Sequence, residues 1–382
     1  MEIADGREEG TRGSKRGWLP ILLWGASLLI SGVGHAQQQP AKTVSGQVGA
    51  QQKAQREDAA ERSKSAQAVY QEQQGVLFGT RYSMEVGLSY ARYDRKQLVL
   101  SGFLALDSIL LGNINVDNVE SDILSLNVLG RVGLSPRFQM DLNLPFLYRL
   151  STYQSIGAGG STSASSEAQI TMDPDIQLGD VSLGLYYQLH KEDRDWPDTV
   201  WNVRVRAPTG SDPYGIKNYQ PDPNNNNLII PREIASGSGV WGISSGLSFI
   251  KTVDPVILFW NFDLGYSFEE SFDDISSDAK TVTPGDIKLG NSFQYGFGTA
   301  FAFNEKTSLS ISFSNRLLQK SKTRARGGNW STVVGSDANI ASLNMGLTYS
   351  RNGKSSVVVN LSAGLTQDAP DFQVGIKFPY SF

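Results

Sequence analysis

Apolar side chains alternate with polar or small ones along most of the chain beyond residue 80. A strand places successive side chains on opposite faces, so this period of two predicts β-strands with one apolar and one polar face. In the C-terminal segment Gln373, Gly375, Lys377, Pro379 and Ser381 lie between the apolar residues Phe372, Val374, Ile376, Phe378, Tyr380 and Phe382. The pattern predicts an all-β protein.

Twelve such segments can be counted. Their predicted bounds are 81–93, 122–135, 137–150, 175–190, 199–209, 238–251, 256–268, 285–303, 307–318, 338–350, 355–366 and 371–382. The connections are alternately short and long, except for a brief last one at Asp368–Pro370, and 94–121 either extends the first hairpin or folds inward. This alternation, with an even strand number, is typical of bacterial outer-membrane barrels. We therefore predict a transmembrane antiparallel up-and-down β-barrel of about 12 strands.

A soluble β-sandwich would also alternate, but its solvent face normally carries many Lys and Glu side chains. Here the polar faces are mostly small and neutral, as in Ser308, Ser310, Ser312 and Ser314 of the ninth segment. Aromatic residues also gather at the predicted strand ends, as they do in membrane-interface girdles. Both features favour a closed lumen over an open surface.

The turn at Ser135–Arg137 gives a specific register. Leu134 would pair with Phe138, and Arg131 would lie directly opposite Asp141 with both side chains in the lumen. Opposite charges across a pair contribute about 0.2–1 kcal/mol, whereas a charge that faces lipid costs more. We therefore predict an inward ion pair between Arg131 and Asp141.

The period of two also selects the charged side chains that would line the pore. These candidates are Glu85, Arg131, Asp141, Arg149, Asp180, Arg204, Arg206, Asp263, Lys288, Arg316 and Lys377. Arg204 and Arg206 on one strand form a basic stripe that would favour anionic solutes. The alternative is that these charges form structural ion pairs across the barrel.

The first 78 residues lack the strand pattern. Residues 1–36 are interpreted as a signal peptide, because the apolar run Trp18–Ile30 follows Lys15 and Arg16 and leads to a cleavage site after Ala36. That run is 13 residues long, too short to span a bilayer as a helix. An uncleaved anchor is the alternative.

Residues 37–78 form the predicted N-terminal helical periplasmic arm, which is rich in Gln, Ala and Ser. Between Val48 and Val76 its residues follow the 4-3 spacing of a coiled coil, although Gln and Arg occupy several seam positions. A homotrimer through residues 44–76, a monomeric helix and a flexible linker are all compatible with this pattern. Residues 79–382 would be the barrel.

Composition narrows the function classes. The chain has no cysteine and two histidines, of which only His190 lies beyond the signal peptide, so no zinc cluster or other cofactor is predicted. A net charge of −4 does not indicate nucleic acid as a partner. Outer-membrane lipases use a serine activated by a histidine near the outer leaflet, whereas His190 would lie at the periplasmic end of its strand. We predict that the chain is not an enzyme.

Several motifs resemble the outer-membrane channels classed with the meta-pathway of phenol degradation. They are Arg131–Phe138, running on to Asp141–Phe146, then Leu178–Leu185 and Arg206–Gly210. The resemblance covers roughly residues 80–382 and implies transport in the bacterial outer membrane, with outer-membrane lipid as surroundings. The terminal Phe382 resembles the signal that the barrel-assembly machinery reads.

A barrel with an N-terminal helical arm also resembles the secretion channel of the functional-amyloid (Fap) system. That family is a twelve-stranded barrel with a trimerising periplasmic coiled coil. Twelve strands about 4.8 Å apart and tilted by about 40° give a backbone radius of roughly 12 Å, so only small solutes or an extended polypeptide would pass. The sequence thus predicts a channel or transporter, with polypeptide secretion or adhesion through loops 151–174 and 210–237 as alternatives.

Overall fold

The computed structural model describes residues 78, 81–95, 99–100, 103–104, 118–155, 166–171, 176–221, 230–254, 256–304, 306–352 and 354–382. Twelve long strands form a barrel, labelled in chain order. They are β1 (Tyr82–Arg95), β2 (Asn118–Ser135), β3 (Phe138–Ser155), β4 (Ser182–His190), β5 (Asp198–Arg206), β6 (Gly242–Val253), β7 (Val256–Ser267), β8 (Ser292–Ala302), β9 (Thr307–Leu318), β10 (Ala338–Asn352), β11 (Ser355–Gly364) and β12 (Phe372–Ser381).

Each barrel strand is antiparallel to the strands before and after it, and the sheet closes on itself. The closing pair joins β12 to β1, with Ser83 opposite Ser381 and Arg92 opposite Phe372. The predicted closed twelve-stranded barrel is therefore confirmed. Within the described residues, no helix has the length and apolar character needed to cross a membrane.

Shorter strands lie at one end of the barrel. Ser166–Thr171 and Gln177–Leu178 both pair with β3. Four strands from two connections form a small separate sheet, Glu269–Phe272, Gly285–Lys288, Lys322–Ala325 and Ser331–Thr332. Two-residue pairs join Val99–Leu100 to Phe103–Leu104 and Asn218–Tyr219 to Ile230–Pro231.

Long connections separate five of the strand pairs at this end, which we call the long-loop end. The opposite end, called the short-turn end, carries connections such as 136–137, 254–255 and 353–354. β1 begins and β12 finishes at the short-turn end, because Tyr82 and Ser381 lie there beside the turns. The predicted signal peptide and the predicted arm lie outside the described residues, apart from Phe78.

The outer face of the barrel is apolar and the inner face is mostly polar. Outward side chains in the middle of the strands include Leu126, Leu247 and Met345, which remain exposed in the isolated chain. Trp201, Tyr349 and Trp241, three aromatic residues near strand ends, are also exposed on the outside. An aqueous surface of this kind would be costly, and a hydrocarbon surrounding removes the cost.

The predicted register between β2 and β3 is confirmed along most of its length. Arg131 lies opposite Asp141, and Val128 lies opposite Leu144. At the turn, however, the register shifts, so that Ser135 rather than Leu134 lies opposite Phe138. A β-bulge of this kind adds one residue to one strand and leaves it unpaired.

Two predicted strands are interrupted in the structure. Segment 175–190 leaves the strand geometry at Gly179–Val181, where Asp180 turns inward and becomes 3% exposed. Segment 285–303 divides into Gly285–Lys288, which belongs to the small sheet, and β8. Polar alternation continues through both interruptions, so the pattern alone does not reveal them.

Candidate functional site

The described residues enclose two connected cavities in the barrel lumen. The first, called the basic chamber, has a volume of about 520 Å³ and is lined by Asp180, Arg204, Arg206, Asp263 and Arg316 together with neutral residues. The second, called the neutral chamber, has a volume of about 710 Å³. Residues common to both linings are Asn127, Leu129, Asn143, Pro145, Asn261 and Gln294.

Small polar side chains line most of the neutral chamber. They come from strands β8 to β12 and from β1, and include Gln294, Ser312, Asn344, Ser362 and Ser89. Small side chains leave the volume that larger ones would fill in a narrow barrel. The charged groups at this chamber are Glu85 and Lys377.

Glu85 connects two of the predicted lumen cations. Its Oε2 accepts a hydrogen bond from Arg131 Nη2 at 2.9 Å, and its Oε1 lies 3.9 Å from Lys377 Nζ. Glu85 is on β1, between the strands that carry the two cations. Ion pairs on the inner face therefore connect the adjacent strands β12, β1 and β2.

Asp141 pairs with Arg204 instead of its neighbour Arg131. Arg204 Nη2 donates to Asp141 Oδ2 at 2.8 Å and to the Tyr186 hydroxyl, and Nη1 donates to Ser182 Oγ at 2.9 Å. The predicted Arg131–Asp141 ion pair is therefore wrong, although the two residues are opposite each other. Arg204 reaches across β4 because Gly184 has no side chain.

Arg206, the other member of the predicted basic stripe, also has a carboxylate nearby. Its Nε lies 3.7 Å from Asp180 Oδ2. Both arginines of the stripe thus have acidic partners. The structure favours the alternative in which they form ion pairs across the barrel.

Asp263 and Arg316 face the basic chamber without an ion pair between them. Among the described residues, neither has an oppositely charged atom within 4.0 Å. Arg316 Nε is buried without a hydrogen-bond partner. These two residues differ in this respect from Arg204.

Two other predicted pore residues lie away from both chambers. Arg149 is 3% exposed at the long-loop end, where its Nε donates to Ser151 Oγ at 3.0 Å. Lys288 belongs to the small sheet, with Nζ 5.4 Å from the centroid of the Tyr266 ring, which faces outward. Its assignment to the lumen is corrected, because the chain leaves the barrel wall before β8 begins.

The described parts of the connection between β5 and β6, residues 207–221 and 230–241, lie over the long-loop end and are called the mouth loop. Its Ile230 and Ile234 pack with inward-facing residues of the opposite wall. The partners on β1, β2 and β3 are Tyr93, Val119, Ile123, Leu147 and Tyr153. The loop therefore reaches the inner face of β1–β3.

The base of the mouth loop packs on the other side of the opening. Tyr214 and Val240 form an apolar cluster with Ile287, Leu289 and Ala338. Burial raises the pKa of the Tyr214 phenol well above its usual value, and the nearby Asp212 carboxylate adds to this effect. Two apolar clusters thus hold the loop at opposite sides of the mouth.

Asp180 holds the two arms of the mouth loop together. Its Oδ1 accepts the Gly210 amide at 3.1 Å, and its Oδ2 accepts the amide and hydroxyl of Ser238 at 3.0 and 2.6 Å. Thr209 Oγ1 donates to the Gly179 carbonyl at 2.8 Å and accepts the Val181 amide. The sequence motifs at Leu178–Leu185 and Arg206–Gly210 therefore contact each other.

Lys217 fixes the mouth loop to the neighbouring connection between β7 and β8. Its Nζ donates to Asp274 Oδ2 at 2.6 Å and to two backbone carbonyls. Burial would raise the pKa of the Asp274 carboxyl, but hydrogen bonds from Lys217 and from the Thr283 and Ser276 amides outweigh it and lower that pKa. The Lys217–Asp274 pair is one more restraint on the loop.

His190 lies at the short-turn end, with Nε2 within hydrogen-bond distance of Asp193 Oδ2 at 2.8 Å. The pKa of Asp193 is lowered by the amides of Trp196 and Asp195 and then by His190. Among the described residues there is no cluster of three His, Asp or Glu side chains that could hold a metal ion. The contacts of His190 and Asp193 therefore stabilise the turn between β4 and β5.

Sequence reasoning did not find the mouth loop's inward packing. The run Leu228–Ile229–Ile230 in a segment otherwise rich in Asn and Pro was the signal. Apolar residues in a long polar loop indicate that part of it is buried. The loop was instead considered as an external binding surface.

No known protein-family profile matches the chain. Among solved structures, it is similar to an outer-membrane channel from Pseudomonas putida F1, with 15% identity, coverage of 80% of this chain and 97% of that one, and a TM-score of 0.49. The toluene transporter TodX of P. putida has 10% identity, coverage of 79% and 90%, and a TM-score of 0.38. The translocator domain of autotransporter NalP from Neisseria meningitidis has 8% identity, coverage of 87% of this chain and 98% of that one, and a TM-score of 0.41. These values assign neither a family nor a substrate.

Proposed function

We propose that this barrel is a channel of a bacterial outer membrane that passes small polar solutes. The observation that carries the proposal is a closed wall, apolar outside, around two connected polar chambers. A polar lumen within an apolar belt lowers the energy barrier for a polar solute to cross hydrocarbon. Transport is the function that this arrangement serves best.

The size of the chambers favours small solutes over a polypeptide. The mouth loop contacts both sides of the long-loop end, and the chambers beneath it hold about 520 and 710 Å³. At the short-turn end, inward-facing Ile250, Ile257, Phe259 and Ala300 form an apolar cluster. An extended polypeptide could cross only if the mouth loop left its contacts and stayed displaced until the whole polypeptide had passed.

The two family resemblances of the sequence bear on the direction of transport. The meta-pathway channel family fits uptake of small molecules, whereas the functional-amyloid secretion channel would export a polypeptide. Trimerisation through residues 44–76 and recognition of Phe382 by the assembly machinery are further hypotheses. Loss of an extracellular polypeptide after gene deletion would favour export, and loss of growth on a small polar carbon source would favour uptake.

Single-channel recording tests the channel itself. Purified full chain, added to planar bilayers, should produce discrete current steps at a size expected for a lumen narrower than that of large porins. The matched control is the same detergent preparation without protein. A chain that is freely soluble without detergent, or that folds in bilayers and gives no current steps, would overturn the proposal.

A further inference from the structure

Asp263, Gln294 and Arg316 form a row across three adjacent strands. Asp263 on β7 lies opposite Gln294 on β8, and Gln294 lies opposite Arg316 on β9. All three line the basic chamber. Since neighbouring strands are about 4.8 Å apart, the acidic and basic backbone positions are separated by roughly 10 Å.

The charges at the two ends of the row attract each other at a distance, but no ion pair within 4.0 Å joins them. Arg316 has no ion pair within 4.0 Å among the described residues, and its Nε is buried without a hydrogen-bond partner. A buried guanidinium donor without an acceptor costs free energy, and a carboxylate is its best geometric match. The Arg316 end therefore lacks an anionic group.

The Asp263 carboxylate accepts a hydrogen bond from the Ser244 side chain, but it forms no ion pair with a described residue. Its carboxylate lies above Gly246, where a Cβ atom would be 2.5 Å from Asp263 Oδ2, so the missing side chain at Gly246 gives it room. No Lys or Arg nitrogen of the described residues lies within 4.0 Å of this carboxylate. Gln294 lies between Asp263 and Arg316 in the strand register.

Other charges around the chamber already have partners. Arg204 is bonded to Asp141, and Asp180 accepts three hydrogen bonds from the mouth loop. A simple anion at Arg316 would also experience repulsion from Asp263 on the same row. A molecule with both charges would match both ends.

We infer that this row binds a small zwitterion, an amino acid or short peptide, with its carboxylate on Arg316 and its ammonium on Asp263. Gln294 lies between the two ends, where its amide can hydrogen-bond the polar part of the ligand. This inference rests on the proposed channel function and names its substrate class. It assigns Arg316 and Asp263 as binding residues for solutes in transit.

Current block in single-channel recordings of the full chain tests the site. The probes are 4-aminobutanoate, butanoate and butylammonium, which share a four-carbon skeleton and differ in charged groups. The zwitterion should give half-maximal block at a concentration at least tenfold lower than either singly charged probe. Arg316→Gln and Asp263→Asn should each raise that concentration at least tenfold.

Arg326→Gln is the matched control, because Arg326 is an exposed arginine in the connection after β9. Its block by 4-aminobutanoate should equal that of the unchanged chain. If Arg316→Gln does not fold, Arg316→Lys keeps the charge but loses the planar fork, and an intermediate block concentration is expected.

Two results would overturn the inference while leaving the channel intact. One is current steps that none of the three probes blocks. The other is block by butanoate that equals block by the zwitterion and strengthens in Asp263→Asn, which would indicate an anion site alone. Absence of current steps in the unchanged chain would instead overturn the proposed function.

Discussion

The Asp141–Arg204 pair depends on a residue that contributes no side chain. A Cβ atom at Gly184 would lie 2.6 Å from Asp141 Oδ1 and 2.8 Å from Arg204 Nη2, closer than atoms can approach without displacement. The ion pair crosses β4 directly over this glycine. Glycine weakens a strand locally, but here it leaves the space that the Asp141 and Arg204 side chains occupy.

Replacing Gly184 with alanine should lower the free energy of unfolding by about 1–3 kcal/mol, the usual cost of adding a carbon to a packed region. Urea unfolding of the chain folded in lipid vesicles measures it. Gly130→Ala is the matched control, since a Cβ atom there meets nothing within 4 Å. Equal losses in both variants would contradict the role given to Gly184.

Sequence reasoning placed Arg131 and Asp141 opposite each other correctly but assigned the wrong partners. Period-two alternation and a short turn are local, so they determine register. The partner of a long side chain is decided by what lies two strands away. Arg204 is distant from Asp141 in sequence and comes within reach because β4, which separates the two strands, carries no side chain at Gly184.

At the scale of elements, the mouth loop is the feature that the strand pattern does not describe. Asp180 interrupts its own segment, turns inward and bonds both arms of the loop. The contact brings together two sequence motifs that lie on different connections. Each motif is informative locally, but their contact needs the folded barrel.

Ile230→Asp should detach the mouth loop from β1–β3 and raise the mean single-channel conductance. Ile230 is fully buried against β1–β3, and a buried unpaired carboxylate costs several kcal/mol, so the loop would move to solvent. Planar-bilayer recording measures the change.

Val334→Asp is the control for that experiment. Val334 lies in another connection at the same end and is 85% exposed, so a carboxylate there stays in water. The conductance of the Val334→Asp channel should therefore equal that of the unchanged chain. Unaltered conductance in folded Ile230→Asp protein would show that the loop does not limit the current.

At the scale of the whole molecule, the barrel has an apolar outer surface and a mostly polar interior, the opposite of a soluble protein. Outward positions such as Met345 are apolar and exposed, whereas inward Asp141 is 2% exposed. This arrangement requires hydrocarbon outside. It also predicts that the cost of an outward charge depends on its depth in the bilayer.

Met345→Arg, at the midpoint of β10, should destabilise the barrel by about 2–4 kcal/mol, whereas Tyr349→Arg near the short-turn end should cost about 0–1 kcal/mol. Both positions point outward from the same strand. Reversible unfolding from phospholipid vesicles compares them. A similar cost at both depths would contradict the membrane placement.

The amino-acid sequence by itself determined the twelve strands, their register at most positions and which face of each strand is apolar. These follow from nearest-neighbour geometry, since alternate side chains lie on opposite faces. Only the tertiary structure decided that the mouth loop enters the lumen, that Arg204 pairs with Asp141, and that Arg316 and Asp263 form no ion pair with a described residue. Those contacts join segments distant in the chain, and closure of the sheet brings them together.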